Sequence, residues 1–159
     1  MCMEPDASQW AFDHLAIVVK AVEKGRSTLS QALGVKEWTQ VIDDPVNGVR
    51  LQFGRCPSGM VYELLEPIDH SSPVHAALTS RKALLNHIAY RVDDLDRGAE
   101  RLYAAGCSPA GAPKPAVAYG GALIQFFVTP ERFIVELIEA PSHAHLFEIA
   151  RAASSGAHS

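Results

Sequence analysis

Several things are scarce in this 159-residue sequence, and each scarcity closes off a class of function. Cysteine occurs three times, at Cys2, Cys56 and Cys107. A widely spaced, odd set supports neither a disulfide framework nor a Cys-type zinc site, and it suits a reducing compartment. Positive charge is not in excess: 14 Lys and Arg stand against 18 Asp and Glu, a net charge of −4. That balance argues against a grip on phosphate backbones, so no nucleic acid is expected as a partner. The longest apolar runs, such as LAIVV at 15–19, are about five residues, where a membrane span needs about 20. No membrane partner is therefore expected. The opening MCMEPDASQW lacks the basic patch and apolar stretch of a secretory signal, so a cytoplasmic location is expected. There is no G-x-G-x-x-G or phosphate loop, and no G-x-S-x-G for a serine nucleophile.

What is present is an ordinary globular balance, 48% hydrophobic and 20% charged, at the length of one domain or two small halves. The halves are visible as a repeat. Shifting the chain by 73 residues lays 14–67 on 87–140, with 13 of 54 positions identical. Chance would give roughly 4. HLAIVV meets HIAYRV, YELLEP meets VELIEA, Gly25 meets Gly98, and Gln52-Phe53 meets Gln125-Phe126.

Each half reads as β-α-β-β-β. The first has a β-branched strand at 12–20, a helix at 21–34 stopped by Gly34, then strands near 36–42, 49–55 and 60–66. The second has strands at 85–92, 122–128 and 132–139, a helix at 95–105, and a Pro-rich strand within 107–118. The expected fold is α+β: two modules, 12–67 and 85–140, forming one curved eight-stranded, mixed but mostly antiparallel sheet in a single domain, 12–140. Residues 68–84 read as a linker with a short helix. The tail 141–159 reads as a short helix in HLFEIARAA followed by disorder.

Four residues carry chemistry. Glu63 stands inside MVYELL, where the neighbours imply burial, and a buried carboxylate must be paired or bound to a metal. Glu136 in FIVELI is the same case. His14 and His87 open the first strand of each half, each 49 residues before its Glu. Strand parity puts Phe12, His14 and Ala16 on one face and Leu85, His87 and Ala89 on one face. Two imidazoles and two carboxylates converging in a concave sheet would neutralise a divalent cation and leave two of six coordination positions for water or substrate. The plainer alternative is two separate structural His–Glu pairs. Glu66 and Glu139, one pleat out of phase, should face the other side, Glu139 toward solvent or an interface. His70, His75, His143, His145 and His158 read as surface residues, and Trp38, Phe53, Tyr90, Tyr119 and Phe126 as shapers of a pocket.

A His in the first strand and a Glu in the last strand of each β-α-β-β-β unit resembles the vicinal oxygen chelate superfamily, the glyoxalase, bleomycin-resistance and dioxygenase fold. The segments VYELLEPIDHSSPV and NHIAYRVDDLDRGAERLYAAGC look most like its methylmalonyl-CoA epimerase branch. The resemblance implies one divalent metal ion (Co, Ni, Mn, Mg or Zn) held by His14, Glu63, His87 and Glu136. It also implies a carboxylate, Glu136 first and Glu63 second, that moves a proton next to a carbonyl of an acyl-CoA thioester or other carbonyl substrate. A homodimer is expected. The chain departs from the epimerase pattern in having Glu63 where Gln is usual, as glyoxalase I does, and Val46 where a proposed base Glu falls; Asp43 or Asp44 are the nearby substitutes. Three further readings stand beside an epimerase. They are a glyoxalase I-type lactoylglutathione lyase, an extradiol-type dioxygenase using His14, His87 and Glu136, and a metal-free drug-binding resistance protein.

Overall fold

The computed structural model describes residues 10–149. The first half contains β1 (Ala11–Val18), α1 (Val22–Leu33), β2 (Glu37–Trp38), β3 (Ile42–Asp44), β4 (Val49–Arg55) and β5 (Val61–Pro67). A short helix, α2 (His75–Ser80), lies in the connection. The second half contains β6 (Leu85–Arg91), α3 (Leu95–Ala104), β7 (Ser108–Pro109), β8 (Lys114–Pro115), β9 (Leu123–Val128) and β10 (Ile134–Ile138), and β11 (Glu148–Ile149) follows. Among the described residues no helix is long and apolar enough to cross a membrane.

The strands form one sheet in the order β11-β2-β4-β5-β1-β6-β10-β9-β7, with β3 on β4 and β8 on β9. Outward from the central β1–β6 pair the two sides match: β5, β4, β2 on one and β10, β9, β7 on the other. Only β1–β5 and β6–β10 are parallel. The register obeys the same 73-residue offset, since Ala16 faces Glu63 and Ala89 faces Glu136. The α+β class, the repeated module and the mixed, mostly antiparallel sheet are therefore as the sequence predicts.

Both helices pack on the same side. α1 buries Val22, Gly25 and Leu29; α3 buries Leu95, Gly98, Ala99 and Leu102. At Gly98 an added Cβ would come within 2.8 Å of Leu137, and at Gly25 within 3.2 Å of Leu64, so the repeated glycine permits the close helix–sheet approach. The repeated glutamates one pleat from the candidate ligands hold the helix starts. Glu66 Oε2 accepts from the Val22 N–H at 2.8 Å, and Glu139 Oε2 from the Leu95 N–H at 2.7 Å. The expected solvent or interface role of Glu139 is thus corrected: a carboxylate here satisfies an orphan donor and complements the positive end of the helix.

Four local expectations change. Among the described residues, eleven strand segments replace eight. The strand expected over 36–42 is two pieces, β2 and β3. The Pro-rich strand over 107–118 is also two pieces, split around Gly111 at a φ of 128°. The tail places Glu148 and Ile149 as a strand on β2, where a helix was expected. The free edge of β2 offers backbone hydrogen bonds that outweigh local helical periodicity. His145, Leu146 and Phe147, the start of that expected helix, are irregular; its remainder from residue 150, the expected disorder and His158 lie outside the described residues.

Candidate metal centre

The site is built at two irregularities of the central strand pair. Between β1 and β6, Phe12 faces Tyr90 and His14 faces Ala89, so Asp13 is an extra residue. Likewise Ala16 faces His87 and Ile17 faces Leu85, so Asn86 is extra. These are β-bulges at equivalent positions, and a bulge re-aims side chains. It corrects the simple parity reading: Phe12 packs on Tyr90 at a centroid distance of 6.0 Å, and Tyr90 on Trp10 beside α3. Phe12 therefore lies on the helix side and not with His14. The bulge also lets each extra residue hold the imidazole that follows it. His14 Nδ1 donates to Asp13 Oδ2 at 2.7 Å, and His87 Nδ1 donates to Asn86 Oδ1 at 2.8 Å.

With both Nδ1–H groups used outward, both Nε2 lone pairs point inward. There they meet the carboxylates. His14 Nε2 is 2.9 Å from Glu63 Oε2 and 3.3 Å from Glu136 Oε2. His87 Nε2 is 2.9 Å from Glu136 Oε2 and 3.4 Å from Glu63 Oε2. The two Nε2 atoms are 3.2 Å apart. The small side chains of Ala16 and Ala89, opposite the glutamates, leave the room for this convergence.

These residues fit a divalent ion on three counts. Donors at about 2.0–2.1 Å from one ion are themselves about 2.9–3.4 Å apart for octahedral to tetrahedral geometry. All four side chains are buried, His14 completely. Glu136 Oε2 is buried without a hydrogen-bond partner. Four acceptor atoms facing one point require a positive charge, supplied by protons or by a cation. The titration behaviour says the same. Burial alone would push the His14 and His87 imidazoles down, yet the facing Glu63 and Glu136 charges raise both. Burial would push the two glutamates up, yet the imidazoles lower both.

Glu63 and Glu136 of the quartet line a cavity of about 240 Å³ whose walls are mostly aliphatic, including Val49, Leu51, Leu65 and Ile124. Among the described residues, Lys114 is the one Lys or Arg that lines it. Of the expected pocket shapers, Tyr119 and Phe126 line it. Phe53 meets the His14 ring edge-on at 5.2 Å, whereas Trp38 packs in the cluster beneath α1 and Tyr90 in the cluster beneath α3. Asp44 lines the cavity, but its carboxylate already accepts from Asn47 and from the Val117 N–H. Asp43 is exposed and lies 3.8 Å from Arg50, outside the cavity lining.

Sequence reasoning missed Asp13, Arg91 and His145. Asp13 Oδ2 also accepts from Tyr119 Oη at 2.6 Å and His145 Nε2 at 2.9 Å, which corrects the surface reading of His145. Burial raises the Asp13 carboxyl, but the His14 and His145 imidazoles hold it well below its ordinary range. Burial and then the Asp13 charge raise the Tyr119 phenol well above its usual value, so it stays a donor. The available signal was position: Asp13 and Asn86 occupy equivalent places directly before the two histidines.

The chain resembles known proteins in sequence and in fold. An ethylmalonyl-CoA/methylmalonyl-CoA epimerase of Cereibacter sphaeroides is 30% identical over 132 residues, covering 80% of this chain and 93% of that protein. A hypothetical protein of Bacillus halodurans superposes with a TM-score of 0.72 at 23% identity, covering 86% of this chain and 99% of that one. Methylmalonyl-CoA epimerase of Mycobacterium tuberculosis superposes with a TM-score of 0.67 at 23% identity, covering 80% and 85%. Residues 13–126 match the family model described as glyoxalase/bleomycin resistance protein/dioxygenase superfamily, and the chain belongs to that superfamily.

Proposed function

We propose that this protein is a divalent-metal-dependent epimerase of a small acyl-CoA thioester, with His14, Glu63, His87 and Glu136 as the metal ligands. The observation that carries this reading is the convergence of four buried acceptor atoms at a cavity wall. The epimerase relative supports the substrate class. A bound divalent ion would polarise the substrate carbonyl and so acidify the neighbouring C–H.

The chain's own residues do the rest. The aliphatic cavity walls exclude water from the reacting carbon. Asp13 and Asn86 hold the imidazoles in the tautomer that leaves Nε2 free. Glu136 removes the proton from the carbon next to the carbonyl through a carboxylate oxygen, and the bonding electron pair passes into the carbonyl system. Glu63, from the opposite half, takes a proton from water and delivers it to the other face of that carbon as the electron pair returns from the carbonyl system, which inverts the centre; Glu136 then releases its proton to water. Glu63 thereby takes the place of the loop carboxylate that Val46 replaces.

The test is α-proton exchange and inversion of methylmalonyl-CoA and related thioesters in D₂O, with metal analysis of protein purified without chelator. Glu136→Gln should keep much of its metal and lose at least about 10²-fold in turnover. Full turnover in that variant would overturn the assignment. The His-Glu-His-Glu set equally favours a lactoylglutathione lyase as the second reading, and turnover of a hemithioacetal but of no acyl-CoA would select it.

Two copies are proposed to associate through the helix side of the central strands. Phe12 and Leu85, equivalent under the offset, are 42% and 62% exposed there, and a repeated apolar pair suits a twofold contact. Sedimentation velocity at micromolar concentration should show a dimer; a single monomeric species would refute it.

A further inference from the structure

The segment 141–147 leaves β10 and crosses to the far edge of the first half, where β11 pairs with β2. It is fixed at both ends and in the middle. Arg91 Nη1 donates to the carbonyls of Pro141 at 2.8 Å and His143 at 3.0 Å. The His145 ring stacks on Phe53 at 3.9 Å with the planes 28° apart. The Arg55 guanidinium lies 4.3 Å above the Phe147 ring. This crossing delivers His145 Nε2 to Asp13 Oδ2 at 2.9 Å.

Asp13 has four partners. Its Oδ2 takes His14 Nδ1, Tyr119 Oη and His145 Nε2, and Arg91 Nε lies 3.0 Å from Oδ1 in an ion pair. The other half has no such arrangement. Asn86, the equivalent of Asp13, is a neutral amide on the cavity wall. Ser72, the equivalent of His145 under the offset, is buried with its Oγ lacking a hydrogen-bond partner. The two imidazoles therefore enter the site with different support: one carboxylate-backed and fixed from four directions, the other amide-backed.

We propose that the strap 141–147 is part of the metal centre, and that His145 is a positioning residue that sets His14 as the stronger ligand by fixing the Asp13 carboxylate. This rests on the reading of His14 as a metal ligand. A carboxylate that accepts from an imidazole Nδ1–H raises the donor strength of Nε2, and the carboxylate must itself be held to do so. Donation from His145 supplies that constraint, and the strap's contacts with Arg91, Phe53 and Arg55 keep His145 in place.

The experiment uses the full-length protein titrated with Co²⁺ against a competing chelator, with the visible ligand-field spectrum recorded. Wild type should bind one equivalent. His145→Ala should weaken cobalt binding about tenfold and shift the spectrum, in the range known for outer partners of metal-bound histidine. His145→Gln, which keeps an N–H donor, should recover most of both. Leu146→Ala, on the same strap but 87% exposed, should match wild type. The loss in Asp13→Ala should not grow when His145→Ala is added, because one acts through the other. Wild-type affinity and spectrum in His145→Ala, or additive losses in the double variant, would overturn the proposal. Failure of wild type itself to bind cobalt would overturn the metal reading beneath it, and is seen before any variant is made.

Discussion

At residue 63 a carboxylate rather than an amide sets the charge of the site. Glu63 and Glu136 together balance a divalent cation between two neutral imidazoles; an amide at 63 would leave one positive charge buried. Glu63 is also the partner needed for inversion in the proposed chemistry. Glu63→Gln should therefore retain solvent exchange of the α-proton in one epimer and lose inversion by at least about 10²-fold. Deuterium incorporation followed by chiral analysis of the recovered thioester checks this, and inversion at the wild-type rate would remove Glu63 from the proton path. All four candidate ligands were legible because each is a polar residue in an apolar strand, repeated at the same offset. Asp13 was not. It precedes His14 directly, so strict alternation assigns it to the opposite face, and only the bulge brings it to the imidazole. His145 was illegible for another reason: it lies outside the duplicated unit, and its partner is 132 positions away.

Among the elements, the two major helices follow from periodicity, since α1 and α3 each bury one face, and the long strands from apolar runs, since β4, β5 and β10 are buried at consecutive positions. What failed was the ends. The two-residue strands β2, β7, β8 and β11 have no local signature, because pairing with a neighbour defines them. Glu66 and Glu139 show the same limit. Their repetition was visible, but their job at a helix start depends on a backbone N–H 44 residues earlier, which no local pattern announces. The bulges are the element-scale feature with most consequence. They interrupt the alternation of β1 and β6 beside each histidine, which puts the orienting residue and the ligand on one side while apolar neighbours such as Phe12 turn toward the helices.

The whole molecule stores the charge problem of its centre in its stability. Without metal, the folded state raises the His14 and His87 pKa values above the ordinary imidazole value of 6.5, burial being outweighed by the facing carboxylates. Their contribution is full below the unfolded value and is lost as pH rises through the folded one. The lowered Glu63 and Glu136 act oppositely: their contribution is present above the ordinary glutamate value of 4.5 and is lost as pH falls toward the folded values. Chelator-treated protein should therefore be most stable between these ranges and lose stability over the interval above about 6.5, as pH rises through the raised imidazole values. A divalent ion reverses the slope over that interval, because it competes with protons for the same Nε2 atoms and binds better as they are released. At free metal about 1,000-fold above Kd the ion adds about 4 kcal/mol, which is about 8–16 °C in Tm for a chain of this size. Melting curves with chelator and with saturating metal should thus separate progressively with rising pH. Parallel curves across the interval would mean that the four side chains do not share one ion, and that each His–Glu contact is only a structural pair.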